Sequence, residues 1–175
     1  MAFRLSQKCR DFFQYIYDKE NKDGTKLRLL FDEYYLCLMV GLASGTYEEN
    51  AQLELPESSR EDAAGPEVTG SEITDSYPED YIQSRDFIAG LLIATERKRR
   101  GIPESDSAAL EKLMTRYLNP ESRTRLSPDR EKRLNQYAAQ GLELLMDVMA
   151  KPYELDTFLI EYLDCFERNQ FNMQG

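Results

Sequence analysis

Apolar residues recur every three or four positions along most of the chain, and this spacing predicts amphipathic α-helices. The first such stripe runs through residues 5–19 and contains Leu5, Cys9, Phe12, Phe13, Ile16 and Tyr17. Turn-forming residues at positions 21–24 end it. A second helix is predicted over residues 25–43. Its first half turns Arg28, Asp32 and Glu33 outward, whereas its second half is apolar on all sides, which is typical of a helix enclosed by its neighbours.

The uncharged run from Tyr34 to Ala43 admits three interpretations. A membrane helix needs roughly 20 apolar residues, about twice this length. A buried strand is usually rich in β-branched residues, and this run has only Val40. We therefore predict a helix buried in a protein core. Gly41 costs such a helix about 1 kcal/mol relative to alanine, a cost that close approach of another helix would explain. Gly45 fits a C-terminal cap.

Four more helices are predicted over about 81–100, 106–117, 127–149 and 156–168. Their terminal residues support these bounds: Gly101 follows four bases, and Ser127 precedes Pro128. The positions assigned to their buried faces are Phe87, Ile88, Leu91, Leu92 and Thr95; Leu110, Leu113, Met114 and Tyr117; Leu134, Tyr137, Ala138, Leu142, Leu145, Val148 and Met149; and Phe158, Leu159, Tyr162, Leu163 and Phe166. No strand with a partner is evident. The prediction is one domain over residues 1–175, an all-α irregular bundle of about six helices with one long acidic loop.

Charge is strongly separated along the chain. Residues 46–80 contain eleven acids and one base, Arg60, so their net charge of −10 equals that of all 175 residues. This interval is also rich in Pro, Gly and Ser, and we expect an acidic, flexible insertion. One function it suggests is an acidic inhibitor that imitates nucleic acid. Another is a cover over the basic part of the chain.

A basic interval spans residues 97–133 and holds eleven Lys or Arg residues, well in excess of its acids. Basic side chains on one surface can bind phosphates. The candidate nucleic-acid contacts are Arg97, Lys98, Arg99, Arg100, Arg123, Arg125, Arg130 and Arg133. The simpler interpretation is compensation of helix dipoles and solvated helix faces.

Residue types needed for common catalytic sites are absent. The chain has no His, which removes the commonest general base and metal ligand. Asp32 and Glu33 are adjacent, so on a helix they diverge by about 100° and cannot share one metal or proton; Asp32 is better placed to pair with Arg28. No phosphate-binding or nucleophile-elbow motif occurs. We predict a protein that is not an enzyme and has no metal or cofactor.

The cysteines and the N-terminal residues bear on the cellular compartment. Cys9, Cys37 and Cys165 are isolated in apolar surroundings and are expected to be reduced core residues. The N-terminal residues lack the features of a signal peptide, and no apolar run is long enough to span a membrane. The chain is therefore expected in the cytoplasm. Its many tyrosines either lie at the edge of the core or form a surface for a protein partner.

Three segments carry a resemblance to a known group of proteins: FDEYYLCLMVGLASG at 31–45, SYPEDY at 76–81 and LNQYAAQGLELLMD at 134–147. In these the chain resembles small helical accessory proteins encoded in bacterial phage-defence and DNA-modification operons. The resemblance implies a subunit of a larger complex. The predicted function is a non-enzymatic adaptor that binds another protein, within a DNA-targeting phage-defence complex. The alternative is direct nucleic-acid binding through residues 97–133. Partner identity, oligomeric state and ordering of 46–80 on binding stay open.

Overall fold

The computed structural model describes residues 3–47, 71–168 and 170–171. Within these ranges it is an irregular all-α bundle with a small two-stranded sheet, which confirms the predicted fold class. The elements in chain order are β1 (Phe3–Leu5), α1 (Gln7–Phe13), α2 (Leu30–Ser44), β2 (Ser71–Thr74), a 3₁₀ helix (Glu79–Ser84), α3 (Arg85–Arg99), α4 (Ser107–Tyr117), α5 (Pro128–Val148) and α6 (Leu155–Glu167).

The pair formed by α2 and α5 is the centre of the fold. A Cβ atom built on Gly41 would lie 1.9 Å from the carbonyl oxygen of Tyr137, and one built on Gly141 would lie 1.8 Å from that of Cys37. No side chain fits at either position, so the two backbones meet directly at these glycines. The close helix approach predicted at Gly41 is confirmed, with Gly141 as its counterpart on α5.

The helix ends predicted at Gly45, Gly101 and Pro128 are confirmed, although the Ser127 side chain makes no capping hydrogen bond. Gly45 and Gly101 end α2 and α3 in the left-handed conformation, with φ of 68° and 63°. The Asp106 side chain accepts a hydrogen bond from the backbone N–H of Ala109 and so caps α4. Pro128 occupies the first turn of α5.

The N-terminal region differs from the predicted helix over 5–19. The helix covers only Gln7–Phe13, because Ser6 caps it and the preceding residues enter a strand. That strand, β1, pairs antiparallel with β2, and Phe3 lies opposite Thr74. The sequence pattern did not indicate this sheet, since β2 lies within the interval 46–80 and each strand is too short to alternate visibly. Residues 48–70 of that interval lie outside the described residues.

The core is continuous and rich in aromatic side chains. Most of its tyrosine hydroxyl groups have hydrogen-bond acceptors, as buried hydroxyls require, whereas that of Tyr77 has no partner among the described residues. Tyr34 donates to Asn135 at 3.0 Å, and Tyr162 donates to the carbonyl oxygen of Leu36 at 2.8 Å. Core packing, rather than a partner surface, therefore explains these two tyrosines. The three cysteines are free and buried, as predicted, but Cys9 and Cys37 are not isolated, because their sulfur atoms lie 3.7 Å apart.

The predicted outward orientation of Glu33 is wrong. The residue is only 1% exposed, because α1 covers that side of α2. Asp32, by contrast, turns back over the start of α2. It accepts hydrogen bonds from the backbone N–H groups of Arg28 and Leu29 and from the hydroxyl of Tyr81, instead of forming a simple surface pair with the Arg28 side chain.

Candidate functional site

Most of the eight candidate phosphate-binding residues contact other side chains of the protein. Three of them make ion pairs with nearby carboxylates: Arg97 with Glu104 (2.8 Å), Arg123 with Asp75 (3.2 Å) and Arg125 with Asp86 (3.7 Å). These pairs connect the basic interval to α3, to the loop before α4 and to the loop that follows β2. Each such contact compensates part of the positive charge that a phosphate would use.

Two more candidates belong to a buried network around Glu96 of α3. The Glu96 carboxylate accepts hydrogen bonds from the hydroxyls of Tyr117 at 2.7 Å and Tyr137 at 2.8 Å. It also pairs with Arg99 at 3.2 Å and Arg100 at 3.3 Å. Burial alone would raise the pKa of Glu96, but these hydrogen bonds outweigh it and lower the pKa. The network therefore holds an ionised carboxylate inside the bundle.

The remaining arginines of α5 stack on tyrosine rings. The guanidinium of Arg130 lies 4.4 Å from the ring centre of Tyr117, and that of Arg133 lies 3.6 Å from the ring centre of Tyr47. Arg99 approaches the same Tyr47 ring at 4.7 Å. These are cation–π contacts within the protein. The sequence could not indicate the two contacts to Tyr47, because Tyr47 is far from residues 97–133 along the chain.

Lys98 differs from the other candidates. It is exposed and has no ion-pair partner among the residues that the structure describes. Seven of the eight candidates thus have an intramolecular partner, and the eighth lies beside an apolar groove.

We define this apolar groove, of about 460 Å³, by the residues that line it: Met39, Leu42, Ala43, Ser44, Gly45, Leu91, Ala94, Thr95, Lys98 and Phe166. Its floor is the C-terminal half of α2. Its walls come from α3 and from Phe166 of α6. The groove is open to solvent on one side. A concave apolar surface of this size is suited to side chains of another molecule.

The outer face of α3 extends the apolar groove towards the N-terminal end of the helix. Phe87 is 57% exposed there, although its spacing predicted burial. Leu91 and Ala94 follow on the same face at steps of four and three. The signal in the sequence is the absence of charged residues from 87 to 95. The apolar surface of α3 is therefore wider than the part of it that one contact with the core can bury.

Other positions predicted to be buried are also exposed. Met114, Val148 and Leu163 have exposed fractions of 41%, 41% and 60%. Helical spacing identifies the apolar side of a helix. How much of that side is buried depends on the elements that pack against it. Leu163 lies on α6, the same helix as the groove residue Phe166.

No group of three or more Cys, Asp or Glu residues in the described ranges is arranged to hold a metal ion. None of the helices in these ranges is both long and apolar enough to cross a lipid bilayer. Compared with known proteins, the chain matches no family model, no curated protein and no solved structure. The surface of the molecule itself is therefore the basis for assigning a function.

Proposed function

We propose that this chain is a non-enzymatic adaptor that binds another protein through the apolar groove. The observation that carries the proposal is the uncovered apolar surface made by this groove and Phe87. Burying a large aromatic side chain is favourable by about 1.5–3 kcal/mol, so an exposed one beside a concave apolar surface is a strong site for a protein contact. Aromatic and methionine side chains are also enriched at protein interfaces.

The partners of the basic residues support protein binding over nucleic-acid binding. Arg99 and Arg100 neutralise Glu96, and Arg130 and Arg133 cover tyrosine rings. A phosphate would have to compete with these contacts. Direct nucleic-acid binding through residues 97–133 stays the alternative.

The proposed setting is a bacterial DNA-targeting phage-defence complex, in which the chain serves as an accessory subunit. The support for this setting is the resemblance of its three segments to accessory proteins of such operons. The proposed compartment is the cytoplasm, where neighbouring thiols without a disulfide, such as Cys9 and Cys37, stay reduced.

The proposal predicts that one charge placed in the apolar groove abolishes partner capture. Ala94→Glu puts a carboxylate on the exposed face of α3, four residues before Lys98, so the helix itself is not weakened. Ala108→Glu is the matched control: Ala108 is an exposed residue of α4, four residues before Lys112. The tagged proteins would be compared by affinity capture from the native host, with captured proteins identified by mass spectrometry.

We expect the unmodified protein and the Ala108→Glu variant to capture the same partner, and the Ala94→Glu variant to lose it. Equal capture by all three proteins would refute the role of the groove. For the nucleic-acid alternative, Lys98→Glu with Arg123→Glu is the suitable variant, because Glu96 does not contact these residues. Nucleic-acid binding would produce a gel shift that weakens steeply with increasing salt and is lost in this double variant.

A further inference from the structure

One side of α6 carries two large apolar residues that nothing in the described ranges covers. Ile160 is 65% exposed and Leu163 is 60% exposed. They are three residues apart, so they share one side of the helix. Leu159, Leu163 and Phe166 follow at steps of four and three, which joins this exposed side to the groove wall formed by Phe166.

Carboxylates frame the exposed apolar side of α6. Asp156 and Asp164 lie one helical turn before and after Ile160, and Glu167 lies one turn after Leu163. All three acids are exposed. Residues 154–168 contain five acids and one base, Arg168, which pairs with Asp164 at 3.2 Å. The exposed side of α6 is therefore an apolar strip bordered by negatively charged side chains.

The α3 wall of the apolar groove carries a positive charge instead. Of the described residues that line it, only Lys98 of α3 is charged. A ligand that fills the groove and continues over the exposed side of α6 thus meets the positive charge of Lys98 on α3 and several negative charges on α6. Charges of opposite sign on these two helices favour one orientation of the ligand over the reverse.

From this charge pattern we infer that the occupant is an amphipathic helix of a different protein, with Leu-like side chains in the groove and Lys or Arg residues facing α6. This inference depends on the proposed function and specifies the chemistry of its partner. A second copy of this chain fits poorly. Packing α6 against its own symmetry mate would bring carboxylates together, and the chain already carries a net charge of −10.

The inference can be tested with two designed peptides of about 18 residues, long enough to form a helix. Both have the same leucine positions, and the polar positions are all Lys in one and all Glu in the other. Binding of each labelled peptide to the full chain would be measured by fluorescence anisotropy at ~0.15 M salt, where only nearby charges interact strongly. We expect the Lys peptide to bind at least about tenfold more tightly than the Glu peptide.

Two triple variants separate the α6 carboxylates from the overall charge. Asp156→Asn with Asp164→Asn and Glu167→Gln should weaken binding of the Lys peptide about tenfold. Glu104→Gln with Glu111→Gln and Glu121→Gln removes the same number of charges from exposed positions elsewhere and should change binding by no more than about twofold. Equal loss in both variants would mean diffuse attraction to an acidic protein and would overturn the inference.

Other outcomes would also overturn it: equal binding of the two peptides, binding of neither, or tighter binding of a peptide with the sequence of residues 48–70. So would a dimer in sedimentation velocity that Leu163→Ser dissociates. Ala94→Glu should abolish binding of the Lys peptide if it enters the apolar groove. Should the peptides fail while capture of a native partner is still lost with Ala94→Glu, the adaptor function stands and only the basic-helix partner is wrong.

Discussion

Glu33 is a carboxyl group that the fold keeps away from water, and it has no ion pair among the described residues. Its Oε2 atom has no hydrogen-bond partner, and neither does the Nε atom of Arg10, among the residues described. Burial raises the pKa of Glu33 from 4.5 to about 8; Arg10 opposes this shift and Asp32 adds to it. Glu33 is thus largely protonated in the folded protein at neutral pH.

This pKa predicts that stability falls as pH rises. Below pH 4.5 the carboxyl is protonated in both the folded and the unfolded protein. Between pH 4.5 and about 8 only the unfolded chain releases the proton, and each pKa unit of difference costs about 1.4 kcal/mol. Glu33→Gln removes this loss, so the variant should exceed the natural protein in stability by more at pH 8 than at pH 5. Urea unfolding across this range would measure it; parallel stability curves would contradict the assignment.

Glu96 is the opposite case, a buried carboxylate that is stabilised in its charged form. Replacing it with Gln leaves Arg99 and Arg100 without their counter-charge and one tyrosine hydroxyl without its acceptor. We expect a loss of about 2–3 kcal/mol in the free energy of unfolding, measured by urea denaturation. Glu104→Gln is the control, because the Glu104 side chain is 86% exposed and its pair with Arg97 should contribute less than about 0.5 kcal/mol. Similar losses for both variants would mean that burial adds nothing to the Glu96 contacts.

At the scale of elements, the crossing of α2 and α5 depends on two glycines. Gly141→Ala would place a methyl group on the carbonyl of Cys37, and backbone cannot move aside as a flexible side chain can. Overpacking of this kind costs up to about 3 kcal/mol, so we expect a loss near that value. Gly90→Ala is the matched control: nothing lies within 4 Å of a Cβ atom built at this position of α3, and the change should stabilise the helix by about 0.5–1 kcal/mol. Thermal unfolding of both variants would measure the contrast, and a neutral Gly141→Ala would contradict the close approach.

At the scale of the whole molecule, the candidate binding surface combines elements distant in sequence. The apolar groove needs α2, α3 and α6 together, and no local pattern relates Met39 to Phe166. The predicted basic interval, residues 97–133, is the opposite case, because closeness in sequence does not make its residues one binding site. Its residues are neighbours in sequence, but folding gives most of them partners within the protein, such as Glu104, Asp75 and the ring of Tyr47.

Sequence alone determined the features that depend on local physical chemistry. Helical spacing indicated the all-α class, and Gly45, Gly101 and Pro128 marked helix ends because backbone preference is a property of single residues. Gly41 signalled a close helix contact because glycine is costly inside a helix.

Which apolar and charged side chains are covered depends on how distant segments of the chain pack together. Phe87 and Leu163 belong to apolar helix faces and are exposed, while Glu33 belongs to a polar position and is buried. The pairing of β1 with β2 likewise joins segments about 70 residues apart. Periodicity reports which way a side chain points from its own helix. Whether another element lies there is set by packing between distant parts of the chain, and that packing creates the candidate binding surface.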